Sequence, residues 1–262
     1  MATANAELKP PLVVIVGPTA SGKTALGVAI ARRFNGEVIC ADSRTIYKYM
    51  DIGTAKPSVL EQQGIPHHLL DVTTPDKRFT VADFQHRATN AIHNIHERGK
   101  LPILVGGSGM YIDSILYDYT FSPINTPRDT KNQRHLSSDF RATSTKLRDN
   151  TLIIGIDVQP DILEDRIAER IDRMFKRGLV EEARILGQLY GWDIEPMKTY
   201  LPILEFLGGT CNEDQAKQKM IIKDRQLAKK QRTWFRRNIS IQWTNDPSKI
   251  VDLVTTFLNK QS

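Results

Sequence analysis

Cysteine is scarce in this chain: Cys40 and Cys211 are the only two among 262 residues. A single pair cannot build the disulfide framework of a small secreted domain, and a reducing compartment suits these thiols better. Long apolar runs are missing too. No stretch approaches the ~18 residues of a membrane-spanning helix. The residues before Leu12 lack the apolar core of a secretory signal, so a cytoplasmic protein with no membrane partner is expected. Aromatic residues are few, at 7%, yet hydrophobic residues make up 40% and charged ones 25%, which excludes disordered, collagenous and low-complexity classes. The length allows one large domain or two small ones with a proper core.

Residues 12–16, Leu-Val-Val-Ile-Val, form a short apolar run stopped by Gly17-Pro18, the pattern of a buried parallel strand entering a turn. Residues 22–34 carry helical spacing through Leu26, Ile30 and Phe34. Residues 37–40 and 101–105 read as two more strands. Between them Thr80 is placed to cap a helix with the apolar stripe Phe84, Ala88, Ile92 and Ile95. Residues 151–156 read as another strand, and 161–190 as helix with a break near Gly178. This alternation predicts an α/β fold, a P-loop NTPase-like doubly wound parallel sheet, with its ligand site beyond the carboxyl ends of the strands. Residues 1–116 and 151–262 then form the core. Residues 117–150, polar and short of large apolar side chains, form a small helical or loop insertion.

The net charge of +6 is not spread evenly. Residues 215–238 hold nine Lys/Arg and one acidic residue, Asp224, more positive charge than the whole chain carries. A local stripe of this kind favours a polyanionic partner more than a high isoelectric point does.

Residues 17–24, Gly-Pro-Thr-Ala-Ser-Gly-Lys-Thr, match the P-loop pattern between a predicted strand and a predicted helix, the context that gives the motif its meaning. Backbone N–H groups there can face one anion, Lys23 adds a charge, and the Thr24 hydroxyl can hold Mg²⁺. A di- or triphosphate is therefore expected. The strand at 101–105 ends in Gly106-Gly107-Ser108-Gly109 with no carboxylate, although 151–156 runs into Asp157, which keeps a kinase-like reading open. The second strand delivers Ala41-Asp42-Ser43 to the rim beside the phosphate loop. Asp42 there either takes a proton from a nucleophile attacking the bound phosphate ester, or caps a turn or helps hold Mg²⁺.

Other patterns are weaker. His67-His68 and His93/His96 lack ligand spacing with further His or Cys, so no zinc site is expected. Cys40 reads as a small buried residue. Arg166, Arg170, Arg173 and Arg177 form a helical ladder that pairs with Glu164, Glu169 and Glu181, or closes a phosphate site.

Several motifs in order carry a resemblance. They are the phosphate loop, Asp42-Ser43, Tyr47, residues 50–57 (Met-Asp-Ile-Gly-Thr-Ala-Lys-Pro), 66–71 (Pro-His-His-Leu-Leu-Asp) and 106–112 (Gly-Gly-Ser-Gly-Met-Tyr-Ile). Asp172-Arg173-Met174, Gly178-Leu179, and Ala228-Lys229-Lys230-Gln231 with Thr233-Trp234-Phe235 complete the set. With them the chain resembles the tRNA dimethylallyltransferases. That family transfers a dimethylallyl group from dimethylallyl diphosphate to N6 of an adenosine next to the tRNA anticodon. The resemblance implies that Gly17, Thr19, Ala20, Ser21, Gly22, Lys23 and Thr24 hold the diphosphate, with Mg²⁺ on Thr24. It implies that Arg225 clamps the diphosphate from the other side and that Asp42 is the base. By the same resemblance Asp42, Ser43, Arg44, Thr45 and Ser108 meet the extruded adenosine, while Lys229, Gln231, Trp234 and, in the insertion, Arg134 lie along the RNA. Read from the residues alone, Trp234 could equally be core packing. A monomer is expected.

The chain also departs from the family pattern. Thr45 stands where Gln is usual, Ser108 where Thr is, and Lys230 where Arg is. Residues 199–202, Thr-Tyr-Leu-Pro, replace Gly-Tyr-Lys-Glu, and Pro202 cannot donate a helical hydrogen bond. The insertion is much shortened. These departures keep rivals in view: the same transfer to free AMP, ADP or ATP, a small-molecule P-loop kinase, and a non-catalytic RNA-binding relative.

Overall fold

The computed structural model describes residues 9–121, 140–142 and 146–260. The chain opens with β1 (Leu12–Val16), α1 (Lys23–Arg33), β2 (Gly36–Ala41), α2 (Val59–Gln62), β3 (His67–His68), α3 (Val81–Glu97), β4 (Leu101–Gly106) and α4 (Gly109–Leu116). A small pair follows, β5 (Tyr119–Phe121) and β6 (Phe140–Ala142). Next come β7 (Thr151–Gly155), α5 (Pro160–Lys176), α6 (Leu179–Tyr190), a 3₁₀ turn (Glu195–Tyr200) and α7 (Leu201–Leu207). The chain ends with α8 (Glu213–Phe235), β8 (Gln242–Trp243) and α9 (Pro247–Asn259).

One parallel sheet carries the core in the order β3-β2-β4-β1-β7-β8. Its central strand β1 is fully buried because helices cover both faces, the arrangement its unbroken apolar run requires. Val13 and Ile15 turn to one face and join Ile30, Ile167, Leu186 and Val254 from α1, α5, α6 and α9. Leu12, Val14 and Val16 turn to the other and meet Phe84, Ile92 and Ile112 from α3 and α4.

Local chemistry explains the boundaries. Thr80 and Asp83 form a reciprocal capping box at the start of α3, and Phe84, Ala88, Ile92 and Ile95 are buried as their spacing predicts. Gly178 separates α5 from α6 at φ 97°, a left-handed conformation that suits glycine. Pro202 does not break a helix. It sits in the first turn of α7, whose amides have no acceptors ahead of them in the helix.

The strand pairings place the site. Since β1 pairs with β4 and β4 with β2, the loops leaving these three strands lie side by side at their carboxyl ends. Gly106 is needed at this rim: a Cβ there would stand 2.0 Å from the Ala41 carbonyl oxygen of β2. In the expected insertion, β5 and β6 pair antiparallel. Arg134 lies outside the described residues. Arg148, near the end of the expected insertion, is buried, its guanidinium donating to the Asp149 carbonyl and Thr151 Oγ1 at 3.1 and 3.2 Å.

Candidate active site

The phosphate loop joins β1 to α1 through Ala20 at φ 61° and Gly22 at φ 92°. These left-handed turns wrap the chain into a cradle over the first turn of α1, where amides without helical partners meet the positive end of the helix dipole. The Lys23 ammonium reaches back to the Pro18 carbonyl at 2.6 Å. Burial pulls its pKa down to about 8; the Asp42 carboxylate opposes that shift and the Arg170 guanidinium adds to it. Thr24 is exposed on the same wall.

At the neighbouring rim, Asp42 Oδ1 accepts the Arg44 N–H at 2.9 Å. The Ser43 N–H donates to Ser108 Oγ at 2.9 Å, so the loops after β2 and β4 are tied together. Thr45 is buried and its hydroxyl has no partner among the described residues. Cys40, one turn of strand below Asp42, is buried with its thiol pushed up to about 12, which leaves it inert.

Two adjoining cavities meet at Asp42. One, about 710 Å³, is lined by residues 19–25 of the phosphate loop and α1 with Arg166, Arg170 and Arg173. The other, about 650 Å³, is lined by Ser43, Arg44, Tyr47, Phe79, Tyr111 and Met174 among others. Asp42, Thr19 and Arg170 line both. A cationic chamber fit for a diphosphate therefore opens beside one that combines the aromatic Tyr47, Phe79 and Tyr111 with a charged rim of Arg44, Lys198, Lys223 and Lys230, and Asp42 is the carboxylate that lines both.

Some expected residues lie elsewhere. Arg225 is not at the phosphate loop. It pairs with Glu164 at 2.7 Å and lines a separate groove between α5 and α8 with Leu163, Ile167 and Lys229. The reason is helical phase: Leu227 and Gln231 face the phosphate chamber, and Arg225 lies about 120° around the helix from Gln231. Arg170 takes the position instead, donating to Thr19 Oγ1 at 2.8 Å and pairing with Asp224. Of the expected partners, Glu169 does meet Arg173 at 3.5 Å, whereas Glu164 goes to Arg225 and Glu181 to Arg184. Arg166, Arg170 and Arg173 of the ladder line the phosphate chamber.

Gln231 does not lie on an exposed RNA face. Its carbonyl accepts the Thr19 N–H at 2.7 Å and its amide donates to the Gly107 carbonyl at 3.0 Å, bracing two glycine-bearing loops. Thr19, expected to offer its amide to the diphosphate, is thus held by α8 and α5. Trp234 is half-buried over Gly109 and donates its Nε1–H to Asp113 at 2.9 Å, so it packs. Lys229 is exposed on α8.

Similarity to known proteins agrees with this geometry. The chain matches the IPP transferase family profile over residues 45–147 and 130–238. It belongs to the IPP transferase family. The tRNA dimethylallyltransferase of Oceanobacillus iheyensis is 35% identical over 300 residues, covering 96% of each chain. The tRNA isopentenylpyrophosphate transferase structure from Bacillus halodurans superposes with a TM-score of 0.84 at 33% identity, covering 96% of this chain and 98% of that one. A eukaryotic dimethylallyltransferase acting on tRNA superposes at 0.69 with 26% identity, over 86% of this chain and 70% of the other. The P-loop NTPase-like sheet is thus that of other IPP transferases. An alignment of 300 positions against 262 residues leaves at least 38 positions of the Oceanobacillus enzyme without a counterpart.

Proposed function

We propose that this chain transfers a dimethylallyl group from dimethylallyl diphosphate to N6 of an adenosine next to the tRNA anticodon, yielding N6-dimethylallyladenosine and diphosphate. The observation that carries it is Asp42 at the junction of the cationic and aromatic chambers. The adenine N6 attacks C1 of the prenyl group as the bond from C1 to the diphosphate oxygen breaks. An aromatic amine is a weak nucleophile, so its proton needs a positioned acceptor. Asp42 supplies one: Oδ1 is turned by the Arg44 amide, and Oδ2 has no partner among the described residues. Lys23, Arg170 and the amides at the start of α1 would stabilise the charge gathering on the leaving group. The base enters the second chamber only after leaving its stack, where Tyr47, Phe79 and Tyr111 offer apolar faces.

Mg²⁺ fits as a cofactor. No three His, Cys, Asp or Glu side chains gather to hold a metal among the described residues, but Mg²⁺ commonly takes one or two protein oxygens with phosphate and water. Thr24, exposed on the wall of the phosphate chamber, would supply the hydroxyl. When bound, the ion neutralises charge on the diphosphate.

Exposed cations at the C-terminal end of α8, Lys229 and Lys230 with Arg236 at its cap, support an RNA acceptor. The positions of the relative that lack a counterpart favour a second reading, in which the acceptor is a free adenine nucleotide. One experiment separates them. The protein is incubated with Mg²⁺, dimethylallyl diphosphate, unmodified tRNA and excess AMP, and prenylated adenosine is sought by mass spectrometry in each fraction. Product in the RNA is expected. Product only in the nucleotide supports the second reading, and none in either overturns the transfer chemistry.

A further inference from the structure

The residues between Tyr47 and Lys56 form an irregular loop that walls the aromatic chamber, and charge holds it at its ends and in its middle. The buried Lys56 ties the two ends together, donating to the Tyr47 carbonyl at 2.8 Å and to the carboxylates of Asp51 and Asp71 at 2.6 Å. In the middle, a half-buried carboxylate from α6 performs the opposite task. Glu182 Oε2 accepts the N–H groups of Asp51 and Ile52 at 2.9 and 2.7 Å, while Oε1 accepts the Gly53 N–H at 2.8 Å and the Tyr200 hydroxyl at 2.7 Å. Three consecutive amides and a phenol thus converge on one anion, a charge-assisted arrangement stronger than neutral hydrogen bonds.

Of the residues Glu182 touches, Gly53 is the one that lines a chamber, while Thr54 and Ala55, which follow it in the loop, line both. Gly53 lines the aromatic chamber and not the phosphate chamber, and so do Thr199 and Leu201, which flank Tyr200 in sequence. Tyr200 itself is fully buried and packs against Gly53 so closely that a Cβ there would stand 2.4 Å from its ring. Gly53, Tyr200 and Glu182 form one stack. It joins the 47–56 loop to the 3₁₀ turn across the chamber from the phosphate loop.

We infer that Glu182 is a positioning residue for the acceptor: it fixes the wall against which the adenosine rests beside Asp42 and takes no part in holding the diphosphate. The inference rests on the transfer proposed above. It separates the two substrates by element. The phosphate loop with α5 sets donor affinity, and the stack anchored on α6 sets acceptor affinity.

The test compares Glu182→Gln and Tyr200→Phe with wild type. The Gln oxygen still accepts from some of these donors, but its NH₂ faces the others. The KM for an anticodon stem-loop RNA is measured at saturating dimethylallyl diphosphate, then the reverse, with calorimetric binding of inorganic diphosphate alongside. Glu182→Gln is expected to raise the RNA KM about tenfold and Tyr200→Phe about threefold. Donor KM and diphosphate affinity should stay within about twofold of wild type, and the double variant should be no worse than Glu182→Gln alone because both act on one network. An equal rise in both KM values, or an unchanged RNA KM in a folded variant, overturns the inference. Should Glu182→Gln not fold, Tyr200→Phe carries the same comparison with one hydroxyl removed. If wild type transfers nothing, the transfer reading is what fails. RNA and diphosphate binding constants then decide the role of Glu182 by the same split.

Discussion

At the scale of single residues, the division of labour in the site makes sharp expectations. Asp42→Asn keeps the size of the side chain and an oxygen to accept the Arg44 amide, but it cannot take a proton. Transfer should fall by about 10²-fold or more, with inorganic diphosphate still bound as in wild type; calorimetry and single-turnover transfer check the two halves. Equal loss of both would make the carboxylate a structural group. Lys23 gives a pH test. With its pKa lowered to about 8 by burial, it is charged below that pH and loses its proton as pH rises through it. Affinity for diphosphate should therefore weaken between about pH 7 and pH 9. The ligand gains negative charge over the same range, so a decline has to come from the protein, and a flat or rising profile would show that Lys23 stays charged. Both residues were legible because their motifs are local in sequence. The sequence leaves Arg170 between pairing with acidic neighbours and closing a phosphate site, and the resemblance points Gln231 at the RNA: they reach the phosphate loop across 151 and 212 residues of chain, a pairing that helical periodicity does not encode.

The elements were legible wherever hydrophobic period and turn chemistry agree, as in β1, α1, α3 and the break at Gly178. The two-residue strands β3 and β8 escaped notice because they are too short for a period and exist only through their pairing with β2 and β7. α5 was open to two readings because its arginines have acidic neighbours at helical spacing, yet its polar face meets α8 and the phosphate loop. A charge cluster that no motif announced ties several elements together. Glu37 at the start of β2 is 1% exposed and accepts from Arg98 Nη2 at 2.8 Å, Lys100 Nζ at 2.8 Å and His68 Nε2 at 2.7 Å. It links β2 to β3, to the end of α3 and to the residue before β4. The Arg98 guanidinium holds the Glu37 carboxyl far below the usual carboxylate range, and Lys100 and His68 reinforce it. A carboxylate depressed in the folded state contributes stability above its unfolded pKa of ~4.3, and that stability is lost as pH falls. Glu37→Gln should destabilise the protein by about 2 kcal/mol at neutral pH, and the difference from wild type should shrink on acidification. Urea denaturation at pH 7 and pH 4 checks both; a constant difference would mean that shape rather than charge is what the cluster needs.

For the whole molecule, the positive stripe proves to be two surfaces rather than one. The inward side of α8 serves the core and the site: Asp224 holds Arg170, Gln231 braces the phosphate loop, and Phe235 is buried. The outward side carries Lys229 and Arg236, both exposed and seven residues apart, hence on one helical face about 10 Å apart. An amphipathic reading alone could not make this division, because the inward side is itself polar. RNA that places its reactive adenosine in the aromatic chamber has to run past α8, whose Leu227 and Lys230 line that chamber. Phosphates on Lys229 and Arg236 would release counterions on binding, so affinity should fall steeply with salt. Replacing both residues with Ala should lower the slope of log K against log salt by about 2. Binding of dimethylallyl diphosphate should be unchanged, since neither side chain lines the phosphate chamber. Filter binding from 50 to 300 mM salt measures the slope, and an unchanged slope would place the RNA on another face of the protein.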